Sequence, residues 1–403
     1  MLNTSLSPWP SFTQEEADAV SKVLLSNKVN YWTGTECREF EKEFAAFAGT
    51  QYAVALSNGT LALDVALKAM GIGAGDDVIV TSRTFLASAS CIVTAGANPV
   101  FADVDLNSQN ISAETIKAAL TPNTKAIIVV HLAGMPAEMD GIMDLAKEHD
   151  LWVIEDCAQA HGAKYKGKSV GSIGHVGAWS FCQDKIMTTG GEGGMVTTND
   201  KELWSKMWSY KDHGKSYDAV YHREHSPGFR WLHESFGTNW RMMEMQAVIG
   251  RIQLKRMSEW TARRQAHAAK LAESLSKFAS IRLIEIADYI EHAQYKFYAF
   301  VKPEHLKEGW TRDRIVNELN ARKVPCYQGS CSEVYLEKAF DNTPWRPKER
   351  LKNAVELGDT SLMFLVHPTL TDDEIAFCKE HIEAVLAEAT LTQIGRASCR
   401  ERV

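Results

Sequence analysis

The chain lacks several features that would assign it to a class at once. No run of apolar residues is long enough to cross a bilayer. The opening Met1-Leu2-Asn3-Thr4-Ser5 lacks the basic-then-apolar layout of a secretion signal. There is no excess of positive charge: with 44 Lys and Arg against 51 Asp and Glu, the net charge is -7. Such a chain has no general attraction to nucleic acid or anionic membrane, so any phosphate it binds needs a local site. No Cys-x-x-Cys pair occurs, and 8 cysteines in 403 residues are too few for a disulfide scaffold. They read as reduced thiols filling the core of a cytoplasmic protein. No Gly-x-Gly-x-x-Gly follows an early strand, which argues against a nicotinamide-dependent oxidoreductase. Internal repeats and low-complexity stretches are missing as well.

What is present is a large globular chain, 45% hydrophobic and 24% charged. A capping box, Thr13-Gln14-Glu15-Glu16, opens the first helix. From Tyr52 to about Asn199 short apolar runs alternate with helical spacing. The runs are Ala53 to Leu56, Val78 to Val80, Pro99 to Ala102, Ala126 to Val130, Trp152 to Ile154 and Met195 to Thr198. They are continuous, not alternating, which is how strands read when helices cover both faces of a sheet. A mostly parallel α/β domain is expected over residues 1-250. A long helical stretch from Met242 to about Phe278 leads into a smaller α+β domain, 251-390. That domain closes with a second capping box at Thr371 to Glu374 and a helix ending near Ala389. Residues 391-403 are basic and aperiodic and read as a non-native or disordered tail.

Three segments carry chemistry. Ser57-Asn58-Gly59-Thr60 lies at a strand-to-helix turn, where free N–H groups and the helix dipole suit an anion; a plain N-cap is the alternative. Asp156, with Gln159, follows the Trp152 strand at the edge where open α/β sheets bind ligands. A carboxylate there can pair with a protonated ring nitrogen, or it can be a helix cap or half of a buried ion pair. Lys185 precedes Thr188-Thr189-Gly190-Gly191-Glu192-Gly193-Gly194. The glycines imply crowded backbone with positive φ, and a Schiff-base lysine needs a lowered pKa, supplied by desolvation and nearby positive charge, to act as nucleophile and base. His222 and His225, with His213 and His233 nearby, read as surface or substrate-facing residues and not as a metal site.

In combination and order these motifs resemble the DegT/DnrJ/StrS sugar-nucleotide aminotransferases, which are fold-type-I enzymes using pyridoxal 5'-phosphate (PLP). The resemblance rests on Val153 to Ala163, Trp179-Ser180-Phe181 with Lys185, Gly190 to Gly194, Ser57 to Leu63, Gly75 to Ile79, Thr84-Phe85, Val130 to Gly134 and Gly237 to Met242. It spans residues from about 8 to 388. It implies a large domain with a mostly parallel seven-stranded sheet between helices, plus a smaller α+β domain. It implies that Lys185 holds the cofactor as an imine and that Asp156 pairs with the ring nitrogen. Gln159 would sit by the ring hydroxyl and Phe85 would stack on the ring. Gly59, Thr60 and Ser180 would hold the phosphate, joined by Asn239 of a neighbouring subunit, so the active unit would be a homodimer. The implied reaction passes an amino group from glutamate to a nucleotide-linked 4-keto-6-deoxy sugar for surface glycans such as lipopolysaccharide O-antigen. Trp32 and His213 are candidate substrate contacts. Three departures stand out: Asn58 before Gly-Thr, Ser82-Arg83 where proline is frequent, and a long aromatic segment from Tyr217 to Glu234. The rival on the same fold is a sugar dehydratase, in which histidine replaces the lysine. A non-catalytic binding protein on this scaffold would not need lysine, aspartate, glutamine and serine together.

Overall fold

The computed structural model describes residues 6–391. The expectations for the first five residues and for the tail after 391 therefore lie outside the described residues. Helices α1 (Gln14–Leu25) and α2 (Glu36–Ala48) come first. At the start of α1 the Glu16 carboxylate accepts from the Thr13 N–H (2.9 Å), one of the two bonds a capping box predicts, and also from the Thr13 hydroxyl.

The chain then alternates through β1 (Tyr52–Leu56), α3 (Gly59–Ala69), β2 (Asp77–Thr81), α4 (Ala87–Thr94), β3 (Asn98–Ala102), α5 (Ala113–Ala119), β4 (Thr124–Val130), α6 (Met139–Glu148) and β5 (Trp152–Asp156). A short ribbon, β6 (Lys164–Tyr165) and β7 (Lys168–Ser169), precedes β8 (Val176–Ser180) and β9 (Gly194–Thr198). Seven of these strands form one sheet in the order β1-β9-β8-β5-β4-β2-β3. Neighbours from β8 to β3 run parallel. β9 runs antiparallel to both β1 and β8.

The continuous apolar runs are explained by this layering. Val78, Val80, Ile128 and Ile154 pack with Leu63 and Leu67 of α3 on one face. Ile79, Ile127, Val129 and Val153 pack with Ile142 and Leu145 of α6 on the other. Each such side chain, fully buried, contributes about 1.5–3 kcal/mol of transfer free energy. The runs predicted six strands of this sheet and missed β8. Its Val-Gly-Ala-Trp-Ser sequence breaks the apolar run, and Gly177 leaves room only for Thr197 and the Gly171 backbone.

After α7 (Lys201–Tyr210) and α8 (Tyr217–Tyr221), the long helix α9 (Glu244–Leu275) carries the chain from the large sheet to the small one. It packs on α1, α2 and later α12, so residue 250 falls inside a continuous helix. The smaller part contains β10 (Ile281–Leu283), β11 (Ile290–Glu291), β12 (Phe297–Val301), α10 (Arg312–Ala321), β13 (Cys326–Tyr327), α11 (Lys352–Thr360), β14 (Ser361–Phe364) and α12 (Asp372–Ala389). Its antiparallel sheet has the order β10-β12-β14-β13, while β11 joins the β6–β7 ribbon. α12 opens on the second capping box: Thr371 N–H donates to Glu374 (2.8 Å), and Glu374 N–H donates to the Thr371 hydroxyl (3.1 Å). The seven described cysteines are all free, and five are buried. Among the described residues no helix is long and apolar enough to cross a membrane.

Candidate active site

The carboxyl ends of β1, β2, β4, β5 and β8 open on one cleft of about 650 Å³. Such an edge collects functional groups because each strand ends there and its loop is free to carry them. Asn58 caps α3, its Oδ1 accepting from Leu61 N–H at 3.0 Å, so the capping reading of this turn holds. The helix N-terminus still faces the cleft through Gly59 and Thr60. A Cβ on Gly59 would lie 2.5 Å from the Ser180 Cβ, so only glycine lets the α3 turn and the end of β8 close together. The result is a cradle of helix N–H groups and two hydroxyls, Thr60 and Ser180.

Asp156 ends β5 and is buried. Its Oδ2 accepts from the Ser88 hydroxyl (2.8 Å), itself bonded to Thr84 (2.9 Å), and its Oδ1 accepts from Ala158 N–H (3.1 Å). It has no ion-pair partner among the described residues, which removes the buried-salt-bridge alternative. Burial pushes its carboxyl above the ordinary range, although the Ser88 bond and more distant Lys185 and His131 oppose the shift. A cationic ring nitrogen placed in the cleft would supply the missing charge.

Lys185 sits on the loop between β8 and β9. Trp9 pins it by donating its indole N–H to the Lys185 carbonyl (2.9 Å), and Lys185 N–H bonds the Cys182 carbonyl (3.1 Å). Two of the four glycines in the run have positive φ, Gly190 (86°) and Gly191 (117°), while Gly193 and Gly194 are crowded against Thr189 and the Asn58 backbone. The lysine Nζ bonds Asp184 Oδ1 at 3.1 Å, and the Tyr295 hydroxyl donates to Asp184 Oδ2 at 2.6 Å. Burial would raise the Asp184 carboxyl, but the Lys185 charge and the Tyr295 bond hold it below the usual range. The charged group touching Lys185 is therefore an acid, where the sequence suggested a cation. The cations Lys296 and Arg264 stand farther off.

Lys185, Asp156, Gln159, Phe85, Gly59, Thr60 and Ser180 all line this one cleft. Gln159 Oε1 accepts from Ala133 N–H (2.7 Å), which fixes its amide. Phe85 is 71% exposed and borders the cleft mouth. The chain does not bring Asn239, His213 or Trp32 to its own cleft. Asn239 is exposed and pairs with Asp212, beside His213, whose N–H donates to Thr238 O (2.9 Å). Trp32 packs edge-on to Tyr31 and Trp208, under the Lys215 ammonium at 4.5 Å. Sequence reasoning missed Ser88, Asp184 and Tyr295. Asp184 carried a signal in being next to Lys185; the other two are joined to the site only by folding.

One cluster behind the cleft has ligand-type donors: His131, Glu155 and Cys157. Its polar groups are already engaged. Glu155 accepts from Gly171, Ile173 and Gly174 N–H groups and from His131 Nε2, while His131 Nδ1 accepts from Ala137 N–H. Burial keeps the Cys157 thiol protonated. The cluster is a structural tie under the site.

A doubly covered, mostly parallel sheet with a lysine, a buried carboxylate and an anion cradle at its carboxyl edge defines a fold-type-I PLP-dependent enzyme. The residues fit the cofactor: an amine for its aldehyde, a buried unpaired carboxylate for its ring nitrogen, a helix N-terminus for its phosphate. The model of the DegT/DnrJ/EryC1/StrS aminotransferase family matches residues 10–383, and the chain belongs to that family. It is a PLP-dependent aminotransferase. The chain is 64% identical to the aminotransferase of Psychrobacter cryohalolentis, whose crystal structure superimposes with a TM-score of 0.93 over 95% of this chain and 99% of that one. It is 42% identical to the UDP-N-acetyl-3-dehydro-alpha-D-glucosamine 3-aminotransferase of Acidithiobacillus ferrooxidans, covering 89% and 90% of the two chains. It is 40% identical to the GDP-perosamine synthase of Escherichia coli O157:H7, covering 93% and 96%.

Proposed function

We propose that this chain passes an amino group from L-glutamate to the keto carbon of a nucleotide-linked 4-keto-6-deoxy sugar, in the cytoplasm, for surface glycans such as lipopolysaccharide O-antigen. One observation carries the reading: Lys185, Asp156 and the Gly59–Thr60 helix start share a single cleft. The sugar half draws support from relatives whose names specify UDP- and GDP-linked sugars. Because those nucleotides differ, the acceptor is proposed as a class.

Pyridoxal phosphate supplies an electron sink when bound. Lys185 holds it through its amine and, once freed, carries a proton to and from the donor's α-carbon. Asp156 keeps the ring nitrogen protonated, held in place by Ser88 and Ala158. Gln159 donates toward the ring hydroxyl, and Phe85 covers the ring face. Gly59, Thr60 and Ser180 take the phosphate. Asn239 completes the phosphate site of the neighbour in a homodimer, and His213, on the same exposed turn, reaches that neighbour's substrate. The exposed Phe229, Trp231 and Phe236 near that turn favour self-association. Trp32 packs among Tyr31 and Trp208, away from the cleft.

Borohydride reduction of the loaded protein, then peptide mapping, should find the adduct on Lys185. Glutamate should shift the cofactor absorbance, and a panel of nucleotide ketosugars should give one product carrying a new amine by mass. No adduct at Lys185 would sink the reading. A deoxy-ketosugar product without nitrogen would replace it with a dehydratase.

A further inference from the structure

The outer half of the cleft, about 500 Å³, lies between Phe85 and the small sheet and is bordered by Lys185, Tyr295, Lys296 and Ser330. Its charges do not balance. Lys296, just before β12, lies over the Tyr295 ring with Nζ 4.7 Å from the centroid. The Lys185 amine lies 5.7 Å from the centroid of that same ring. Both amines thus flank one ring on the wall of this cavity. Behind them Arg264 of α9 is 1% exposed, and its Nε and Nη2 have no hydrogen-bond partner among the described residues. Its remaining contacts are the Tyr295 carbonyl (3.4 Å) and the face of Trp9 (5.0 Å). Against three cations stand two acids: Asp184, which already serves Lys185 and Tyr295, and Glu337, which borders the cleft but forms no ion pair with Lys296 or Arg264 among the described residues. Among the described residues neither Lys296 nor Arg264 forms an ion pair. Burial, then the Arg264 charge, lowers the Lys296 ammonium to about 8, and burial lowers Arg264 to about 9. Unpaired cations in a low-dielectric wall are costly unless an anion completes them.

We propose that Lys296, backed by Arg264, is the anion subsite of the outer cleft, and that it binds the α-carboxylate of the amino donor. This rests on the aminotransferase reading above. The carboxylate is favoured over a nucleotide phosphate by distance along the substrate. In an amino acid the carboxylate is one bond from the carbon whose proton Lys185 moves. In a nucleotide-linked sugar the phosphate is attached at the opposite side of the ring from a 4-keto group. Lys296 shares the wall with Lys185 and so matches the shorter span.

The test uses the PLP-loaded full chain and glutarate, a dicarboxylate with no amine, read by calorimetry so that no turnover is needed. Lys296→Met should weaken glutarate binding at least tenfold and raise the glutamate concentration that half-converts the cofactor by a similar factor. Lys296→Arg should recover most of both. UDP binding should change less than threefold. Because the substitution removes a desolvated cation, the variant should melt no lower than the parent. Unchanged glutarate affinity would overturn the proposal, and so would a loss confined to UDP, which would reassign the subsite to phosphate. Failure of the aminotransferase reading would appear separately, as a missing borohydride adduct on Lys185.

Discussion

Replacing Glu155 by glutamine probes the tie beneath the cleft. Glu155 is fully buried on β5, next to Asp156, and its two oxygens take four donors. These are the N–H groups of Gly171 (2.8 Å), Ile173 (2.8 Å) and Gly174 (2.6 Å) and the His131 Nε2 (2.9 Å). Ala137 N–H donates to His131 Nδ1 (3.0 Å), so the ring proton sits on Nε2 and points at the carboxylate. Glutamine keeps one acceptor oxygen and turns an NH₂ toward the other two donors. Stranding two buried donors at about 1–3 kcal/mol each costs about 2–6 kcal/mol, a large part of the roughly 5–15 kcal/mol that holds a domain together. The urea midpoint of the loaded protein at pH 7 should fall accordingly, and cofactor affinity with it, because the same strand positions Asp156. The acid limb should also change. Burial pushes the Glu155 carboxyl up, but the His131 bond and the Gly171 and Gly174 N–H groups outweigh it, so the folded pKa lies below 4.5. A depressed acid contributes its full stability above the unfolded pKa and loses it as pH falls through the folded one. The parent should lose this contribution below about pH 4.5, whereas the glutamine variant has none of it to lose. A Glu155→Gln protein within about 0.5 kcal/mol of the parent at pH 7 would refute the reasoning.

Other perturbations separate chemistry from scaffold. Asp156→Asn should leave the borohydride adduct on Lys185 but lower kcat by about 10²–10³, the usual loss for one preorganised electrostatic partner; turnover near the parent rate would dismiss its role. His161 and His292 are buried and neutral, each lowered to about 3 by burial, with Lys185 adding to the shift at His161. Both take a proton on unfolding below pH 6.5, so their contribution is complete above 6.5 and drains as pH falls. The slope is up to about 1.4 kcal/mol per pH unit for each. Urea midpoints from pH 7 to 5 should show the slope, and a folded His161→Gln protein should be flatter by one proton's worth. Trp231→Ser with Phe236→Ser removes two side chains that are 79% and 98% exposed. Sedimentation should show self-association weakened by about 30-fold or more, the effect of losing one interfacial anchor; an unchanged dimer would place the interface elsewhere.

Much of the fold was legible because its signals are local. Parallel strands buried on both faces leave unbroken apolar runs, and capping boxes mark helix starts within four residues. Lys185, Asp156 and Gln159 were legible as candidates, and the fold brings them to one cleft, because the chemistry needs a few residue types beside a strand end or a glycine run. β8 was hidden because Gly177 and Ser180 are chosen for close approach and not for apolar surface. Tyr295, Lys296 and Arg264 were hidden for another reason. They come from α9 and the approach to β12, and only folding sets them against Lys185. Trp32 and His213 drew attention as an aromatic and an imidazole near motifs. Their surroundings are decided by Tyr31, Trp208 and Thr238, which a one-dimensional reading does not place.

The cleft separates its charges by position, and the separation explains why one site can serve two half-reactions. Its floor holds Asp156, whose carboxyl is raised by burial and therefore favours a cationic partner over solitude. One side holds the α3 N-terminus, a fixed partial positive charge that suits a phosphate. The outer wall holds Lys296 and Arg264, neither of which forms an ion pair among the described residues. Each of these regions is incomplete alone, and each has the sign opposite to the group proposed for it. Lys185 could yield its bond to the cofactor aldehyde to an incoming substrate amine, and take it back, without requiring any of the three to move. That is the property preorganised electrostatics supplies: the protein's dipoles are set during folding and need no rearrangement when donor and acceptor exchange places.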